Sequence, residues 1–138
     1  MTGVYALIAA LVVATVAGLA WQRRSGKVRA VASTGERLSA DDIGAPLGER
    51  ATLLQFSTTF CQPCRATRHI LSDVAGTVEG VAHVDVDAAA HVELVRRLDV
   101  VRAPTVLVLD GHGRVVRRAS GQPRKSDVLA ALGEAVES

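Results

Sequence analysis

The hydrophobic pattern of the chain changes once, near residue 21. From Gly3 to Trp21 there is no charged residue. A helix of that length spans about 28 Å at about 1.5 Å per residue, close to the roughly 30 Å of a bilayer's hydrocarbon core. Tyr5 and Trp21 stand near its two ends, where amphipathic rings settle at a membrane–water interface. The run has no polar face, as a core helix of a soluble domain would. A cleaved signal peptide opens with basic residues, and Met1-Thr2-Gly3 has none. The pattern predicts a transmembrane anchor over residues 1–21.

Beyond the anchor the apolar residues come in short periodic runs. Residues 22–35, rich in Arg, Ser, Gly and Ala, are expected to form a basic juxtamembrane linker, and 36–138 a single domain. Ser39 is placed to cap a short helical turn ahead of Gly44 and Pro46. Thr52–Ser57 suits a buried strand. From Cys64 to Val78, Ile70, Leu71, Val74 and Val78 recur at helical spacing, and Gly80 follows as a stop. Val81–Asp87 alternates as a strand does. Ala90–Leu98 predicts a helix with Val92, Val95 and Leu98 on one stripe and Arg96 and Arg97 exposed.

Thr105–Leu109 has the apolar character of a central strand covered on both faces. Asp110-Gly111-His112-Gly113 is a turn cluster, so residues 114–119 are expected to return as a hairpin partner. The arginines at 114, 117 and 118 suggest an edge strand guarded by charge. Ser126 is expected to cap a last helix from Asp127 to about Val136, with Val128, Leu129, Leu132 and Val136 inward. Two strands joined through a helix imply a parallel βαβ unit. With the hairpin added, the fold class is α/β, a mixed sheet with helices on both faces.

Composition refines this picture in two places. With 49% apolar residues the chain can build a core, so disorder throughout is excluded. The net charge of +2 gives no argument for nucleic-acid binding, and none is expected. The distribution of charge says more. Arg23, Arg24, Lys27 and Arg29 cluster just after the apolar run; with those four set aside, 12 cations face 14 acids. Basic residues collect on the cytoplasmic side of a span, which predicts an outside N-terminus and a cytoplasmic domain.

The candidate chemistry lies in Phe60-Cys61-Gln62-Pro63-Cys64-Arg65, which holds the only two cysteines of the chain. A disulfide framework is excluded; the pair can bond only with each other or with a partner. Both sulfurs fall at the start of a predicted helix, where unpaired N–H groups and the helix dipole favour thiolate. The thiolate is the form that attacks disulfides. A lone Cys-x-x-Cys in a reducing compartment is redox-active rather than structural. His69 and His83 could join the cysteines around zinc, but the second ligand pair of a structural site is missing. No metal and no cofactor are expected. The helix-surface and turn positions of His69, His91 and His112 mark them as solvated.

A Cys-x-x-Cys that follows a strand and opens a helix in a βαβ pattern resembles the thioredoxin family. The resemblance covers about residues 51–136. It is carried by Cys61-Gln62-Pro63-Cys64, by Val81–Asp87, by Arg102-Ala103-Pro104-Thr105 and by Gly121. It implies a thioredoxin-like fold, with Cys61 as the attacking thiolate and Cys64 as the thiol that resolves the mixed disulfide. Pro63 restricts the first helical turn at little cost. Pro104 matches the family's cis-proline, and the backbone of Ala103 its strand-like contact with substrate.

The surroundings of the dithiol depart from the family pattern. Phe60 stands where Trp is usual and Gln62 where Gly is common. The family's buried acid falls at Gln55 and its lysine neighbour at His83. Gln55 cannot accept the resolving thiol's proton. Either His83 or a water takes that part near neutral pH, or Gln55 and His83 simply satisfy each other.

The function expected is that of a thiol–disulfide oxidoreductase that reduces a disulfide-containing protein substrate at the membrane and takes electrons from a dithiol reductase. Two alternatives stay open. One is an extracytoplasmic interchange protein of the cytochrome-biogenesis type, which Leu47–Phe56 resembles, although the helix after the cysteines lacks that group's Glu and Pro. The other is a tethered, non-catalytic interaction or sulfur-relay module.

Overall fold

The computed structural model describes residues 1–24, 29–30 and 36–137. Helix α1 is Thr2–Arg24 and strand β1 is Arg29–Ala30. There follow α2 (Ala40–Ile43), β2 (Ala51–Ser57), α3 (Gln62–Thr77), β3 (Val81–Asp87), α4 (Val92–Arg97), β4 (Thr105–Asp110), β5 (Val115–Ser120) and α5 (Lys125–Glu137). The rest of the expected linker, 25–28 and 31–35, lies outside the described residues.

The 23 residues of α1 reach about 35 Å at about 1.5 Å per residue. Its apolar residues are exposed all round, from Val4 and Tyr5 to Leu19 and Trp21. The other described residues bury none of its apolar span, and the helix is long and apolar enough to cross a membrane.

Five strands form one sheet in the order β1-β5-β4-β2-β3, with β2 and β3 parallel and the other pairs antiparallel. β2 and β4 are buried along their whole length, as expected of central strands. Successive side chains of a strand point to opposite faces, and the core divides accordingly. On one face Leu54, Phe56, Val84, Val86, Leu107 and Leu109 pack with Ile43 of α2 and Leu94 of α4. On the other, Leu53, Val106 and Val108 pack with Leu71 and Val74 of α3 and Val128 and Leu132 of α5. The thioredoxin-like layering of a mixed sheet between helices is the one expected.

Several local expectations need correction. β5 is not an edge strand: Arg29 and Ala30 of β1 pair with Arg118 and Arg117, and Arg37 bridges to Arg114. Two of its arginines make specific contacts in place of guarding an edge. Arg117 pairs with Glu134, and Arg118 donates to the carbonyls of Leu98 and Asp99 beyond α4. α4 is shorter than expected, and it turns Leu94 rather than Val92 inward; Val92 is exposed. α5 starts at Lys125, which puts Ser126 inside its first turn instead of at the cap, and Leu129 is exposed. Ser39 does cap α2, in a reciprocal box with Asp42.

The loop before β2 is wedged against the β2–β3 pair at Gly48, whose N–H donates to Thr52 Oγ1 at 2.9 Å. A methyl group at Gly48 would lie 2.0 Å from the Ala51 carbonyl oxygen and 2.7 Å from the Ala82 nitrogen. Both obstacles are backbone, so the strands themselves must shift. Gly48→Ala is expected to destabilise the fold by about 1–3 kcal/mol, a fall of about 4–8 °C in Tm per kcal/mol. Calorimetry giving an unchanged Tm contradicts the close packing described.

Candidate active site

Helix α3 is the crossover between the parallel strands β2 and β3, and its N-terminus lies above their C-terminal ends. It begins at Gln62, two residues before the expected start at Cys64. Cys61 is the extended N-cap residue, with φ −99° and ψ 105°. Its Sγ accepts a hydrogen bond from the Cys64 N–H at 3.2 Å. A helix N-terminus leaves several N–H groups without internal partners, and here the sulfur takes one of them. Pro63 occupies the first turn, where a missing N–H costs nothing.

The two cysteines form a disulfide with their Cα atoms 5.2 Å apart. They differ in access: Cys61 is partly exposed, whereas Cys64 is 1% exposed. Phe60, just before the pair, is 98% exposed and has φ 60°. The left-handed region is uncommon for a bulky non-glycine residue. Gln62 and Pro63 are exposed beside it.

Pro104 comes to the same end of the sheet because Phe56 near the end of β2 pairs with Thr105 at the start of β4. The Ala103–Pro104 peptide is cis, and the Pro104 carbonyl accepts the Gly121 N–H at 2.7 Å. Pro104 is buried and Ala103 half-buried.

Beneath the cysteines the alternation of β2 turns Leu53, Gln55 and Ser57 toward α3. Their register partners His83, Asp85 and Asp87 follow the same alternation on β3. Gln55 is fully buried. Its Nε2 donates to the Cys64 carbonyl at 2.9 Å and to Ser57 Oγ at 3.0 Å. Its Oε1 therefore faces His83 Nε2, at 3.2 Å. Since an amide oxygen only accepts, His83 must carry a proton on Nε2. The Gln55–His83 pair satisfies itself, and this nitrogen has no free lone pair to offer a thiol. Burial lowers the His83 pKa from its ordinary 6.5, against the pull of Asp85 and with a smaller push from Arg68.

The sequence reading missed three residues that join this arrangement. Ser57 Oγ donates to Asp85 Oδ1 at 2.7 Å, and Arg68 Nε donates to Asp85 Oδ2 at 2.7 Å. The signal lay in the spacing: Gln55 and Ser57 are two apart on one strand, His83 and Asp85 two apart on its partner, and Arg68 is one helical turn after Cys64. His69 and His112 are exposed, and His91 Nδ1 lies 3.0 Å from the Asp87 carbonyl oxygen. Among the described residues no group of three or more His, Cys, Asp or Glu side chains could hold a metal ion.

A cysteine pair capping the crossover helix of a βαβ unit, with a cis-proline loop at the same end of the sheet, defines a thioredoxin-like thiol–disulfide oxidoreductase. The sequence matches the thioredoxin family model over residues 41–134, and the chain belongs to the thioredoxin family. It is 32% identical over 109 residues to a thioredoxin of Mycolicibacterium smegmatis, covering 77% of this chain and 94% of that one. It is 33% identical over 90 residues to a thioredoxin of Mycobacterium tuberculosis, covering 63% and 75%. Among solved structures, spinach chloroplast thioredoxin f superposes with a TM-score of 0.57 at 24% identity, over 64% of this chain and 78% of that one. Fasciola hepatica thioredoxin gives 0.56 at 22% identity, over 64% and 83%. Family membership and the Cys61–Cys64 pair establish a thiol–disulfide oxidoreductase. Proteins of this family reduce disulfide substrates and are themselves reduced by a reductase.

The lowered His83 pKa makes a prediction about stability. Above pH 6.5 His83 is neutral in both the folded and unfolded chain and contributes nothing. As pH falls through that value the unfolded chain takes up the proton first, so stability drops until the folded-state pKa is passed. His83→Gln keeps a donor to Gln55 and removes the titration. Wild type is expected to lose more thermal stability than His83→Gln between about pH 7.5 and pH 5. Parallel curves would show that burial does not disfavour the charged ring.

Proposed function

We propose that this chain is a membrane-anchored reductant of protein disulfides, held by α1, with its domain on the cytoplasmic side. The observation that carries the chemistry is the unequal pair: an accessible Cys61 capping a helix and a buried Cys64 one turn behind it. In the reduced protein the Cys61 thiolate attacks one sulfur of a substrate disulfide and expels the other as thiolate. Cys64 then loses its proton, and its sulfur attacks Cys61 Sγ. The second substrate thiolate leaves, and the Cys61–Cys64 disulfide seen in the structure forms. The substrate gains two electrons and the protein dithiol loses two, which a dithiol reductase restores.

Substrate docks on the surface around Cys61. Phe60 offers an exposed aromatic face, with Gln62 and Pro63 alongside. Ala103 makes no backbone hydrogen bond among the described residues, which leaves its main chain able to pair with an extended substrate segment. Neither contact depends on one substrate sequence.

Support for the anchor comes from the length and all-round apolar surface of α1. Support for its orientation comes from Arg23 and Arg24 at its C-terminal end and from Lys27 and Arg29 just beyond. One experiment in intact cells addresses chemistry and side together. Full-length Cys64→Ser with a C-terminal tag is expected to accumulate mixed disulfides with other proteins, Cys61→Ser is not, and the tag becomes reachable only after permeabilisation. A tag reachable in intact cells overturns the cytoplasmic placement and favours an extracytoplasmic interchange protein. Equal trapping by both variants overturns the assigned roles.

A further inference from the structure

The polar row beneath α3 has a single hydrogen-bond direction. Arg68 donates to Asp85 through Nε, and its Nη2 lies 2.7 Å from the same Oδ2. An ionised carboxylate only accepts, so the proton of Ser57 Oγ goes to Asp85 Oδ1. That leaves the Ser57 lone pairs to receive Gln55 Nε2–H, and the other hydrogen of that amide goes to the Cys64 carbonyl. At the far end Gln55 Oε1 receives the His83 N–H. A flipped Gln55 would set its oxygen against the Cys64 carbonyl. Ser57, whose proton is committed to Asp85, and the Cys64 carbonyl together exclude that flip, and His83 takes the tautomer that suits it.

We propose that Ser57 and Asp85, with Arg68 holding Asp85, are positioning residues for the resolving step of catalysis. They act through Gln55 on Cys64 and touch neither sulfur. In the oxidised protein the disulfide itself holds the first turn of α3. When Cys61 is bonded to a substrate, that restraint is gone, and Cys64 must still bring its sulfur to Cys61 Sγ. The Gln55–Cys64 carbonyl contact is then the tie between this turn and the buried sheet, since the Cys64 N–H bond ends on the sulfur that the substrate now shares. Misplacing a reacting group by about 1 Å can cost about a hundredfold in rate. The Cys64 N–H already serves the earlier attack by Cys61, but only the second step needs the Cys64 sulfur delivered, so the network bears chiefly on that step.

This inference rests on Cys61 as attacker and Cys64 as resolver, and one stopped-flow measurement tests both. The reduced full-length protein in detergent micelles is mixed with excess symmetrical nitroaryl disulfide. Attack by the Cys61 thiolate forms a mixed disulfide and expels one coloured nitroaryl thiolate. Cys64 gives its proton to the buffer, its sulfur displaces the second coloured thiolate, and the internal disulfide forms. The two releases are two kinetic phases.

Ser57→Ala and Asp85→Asn are each expected to leave the first phase within about twofold and slow the second about tenfold. Ser57→Thr, which keeps the hydroxyl, is expected to restore the second phase. The double variant is expected to be no slower than the slower single one, because both break the same path. Second phases within twofold of wild type in both single variants overturn the proposal, as does equal slowing of both phases, the mark of a merely structural role. Cys64→Ser is the control: it must release one equivalent of coloured thiolate. If it releases two through its own chemistry, the role of Cys64 fails, and the proposal with it.

Discussion

The chemistry of this protein depends on how the first turn of α3 is seated on the ends of β2 and β3. A helix start carries N–H groups that need acceptors, and the Cys61 sulfur supplies one for Cys64. One residue's N–H points at the accessible sulfur, while its carbonyl is held from below by Gln55. These two contacts set one cysteine at the rim and bury the other. The cis-proline loop belongs to the same arrangement, because β2 and β4 are antiparallel neighbours and the end of one meets the start of the other. Burial on both sheet faces keeps those strand ends in register.

The position beneath Cys64 is where this chain departs from the familiar thioredoxin surroundings. A fully buried carboxylate would need a partner for its charge, and isolated buried charge is costly. Gln55 avoids that cost by staying neutral with both amide hydrogens and its oxygen engaged. The consequence is that, among the described residues, the group directly under Cys64 is a neutral amide. Ionisable groups move to the margin: His83 shares the Gln55 oxygen, and Asp85 sits behind Ser57, with a side chain 28% exposed and paired with Arg68.

Much of this was legible in the sequence, for physical reasons that can be named. Runs such as Leu53–Phe56 and Val106–Leu109 are too apolar to be anything but central strands once their lengths are considered. The Cys-x-x-Cys and Ala103-Pro104 stood out because few backbones call for them. β1 was not legible: Arg29-Ala30 carries no hydrophobic signal, and its pairing with β5 is a backbone matter. Val92 and Leu129 were misplaced because a short helix offers two nearly equivalent apolar stripes, and packing chooses between them. Asp85 escaped notice because polar residues at every second position of β3 look like a solvent face, and Ser57 because a small polar residue at the end of a buried strand carries no signal of its own. Only the β2–β3 register, Gln55 opposite Asp85, shows that they meet under the helix.

On the proposed mechanism, the seating of α3 makes the two cysteines chemically unequal, with Cys61 activated and Cys64 shielded. Alkylation of the reduced full-length protein by iodoacetamide, followed at each cysteine from about pH 5 to about pH 9, tests it most directly. Cys61 is expected to react first, with a midpoint below the roughly 8.5 of an ordinary cysteine, while Cys64 stays protected. Equal rates at the two sulfurs, or a Cys61 midpoint at or above that value, would contradict it.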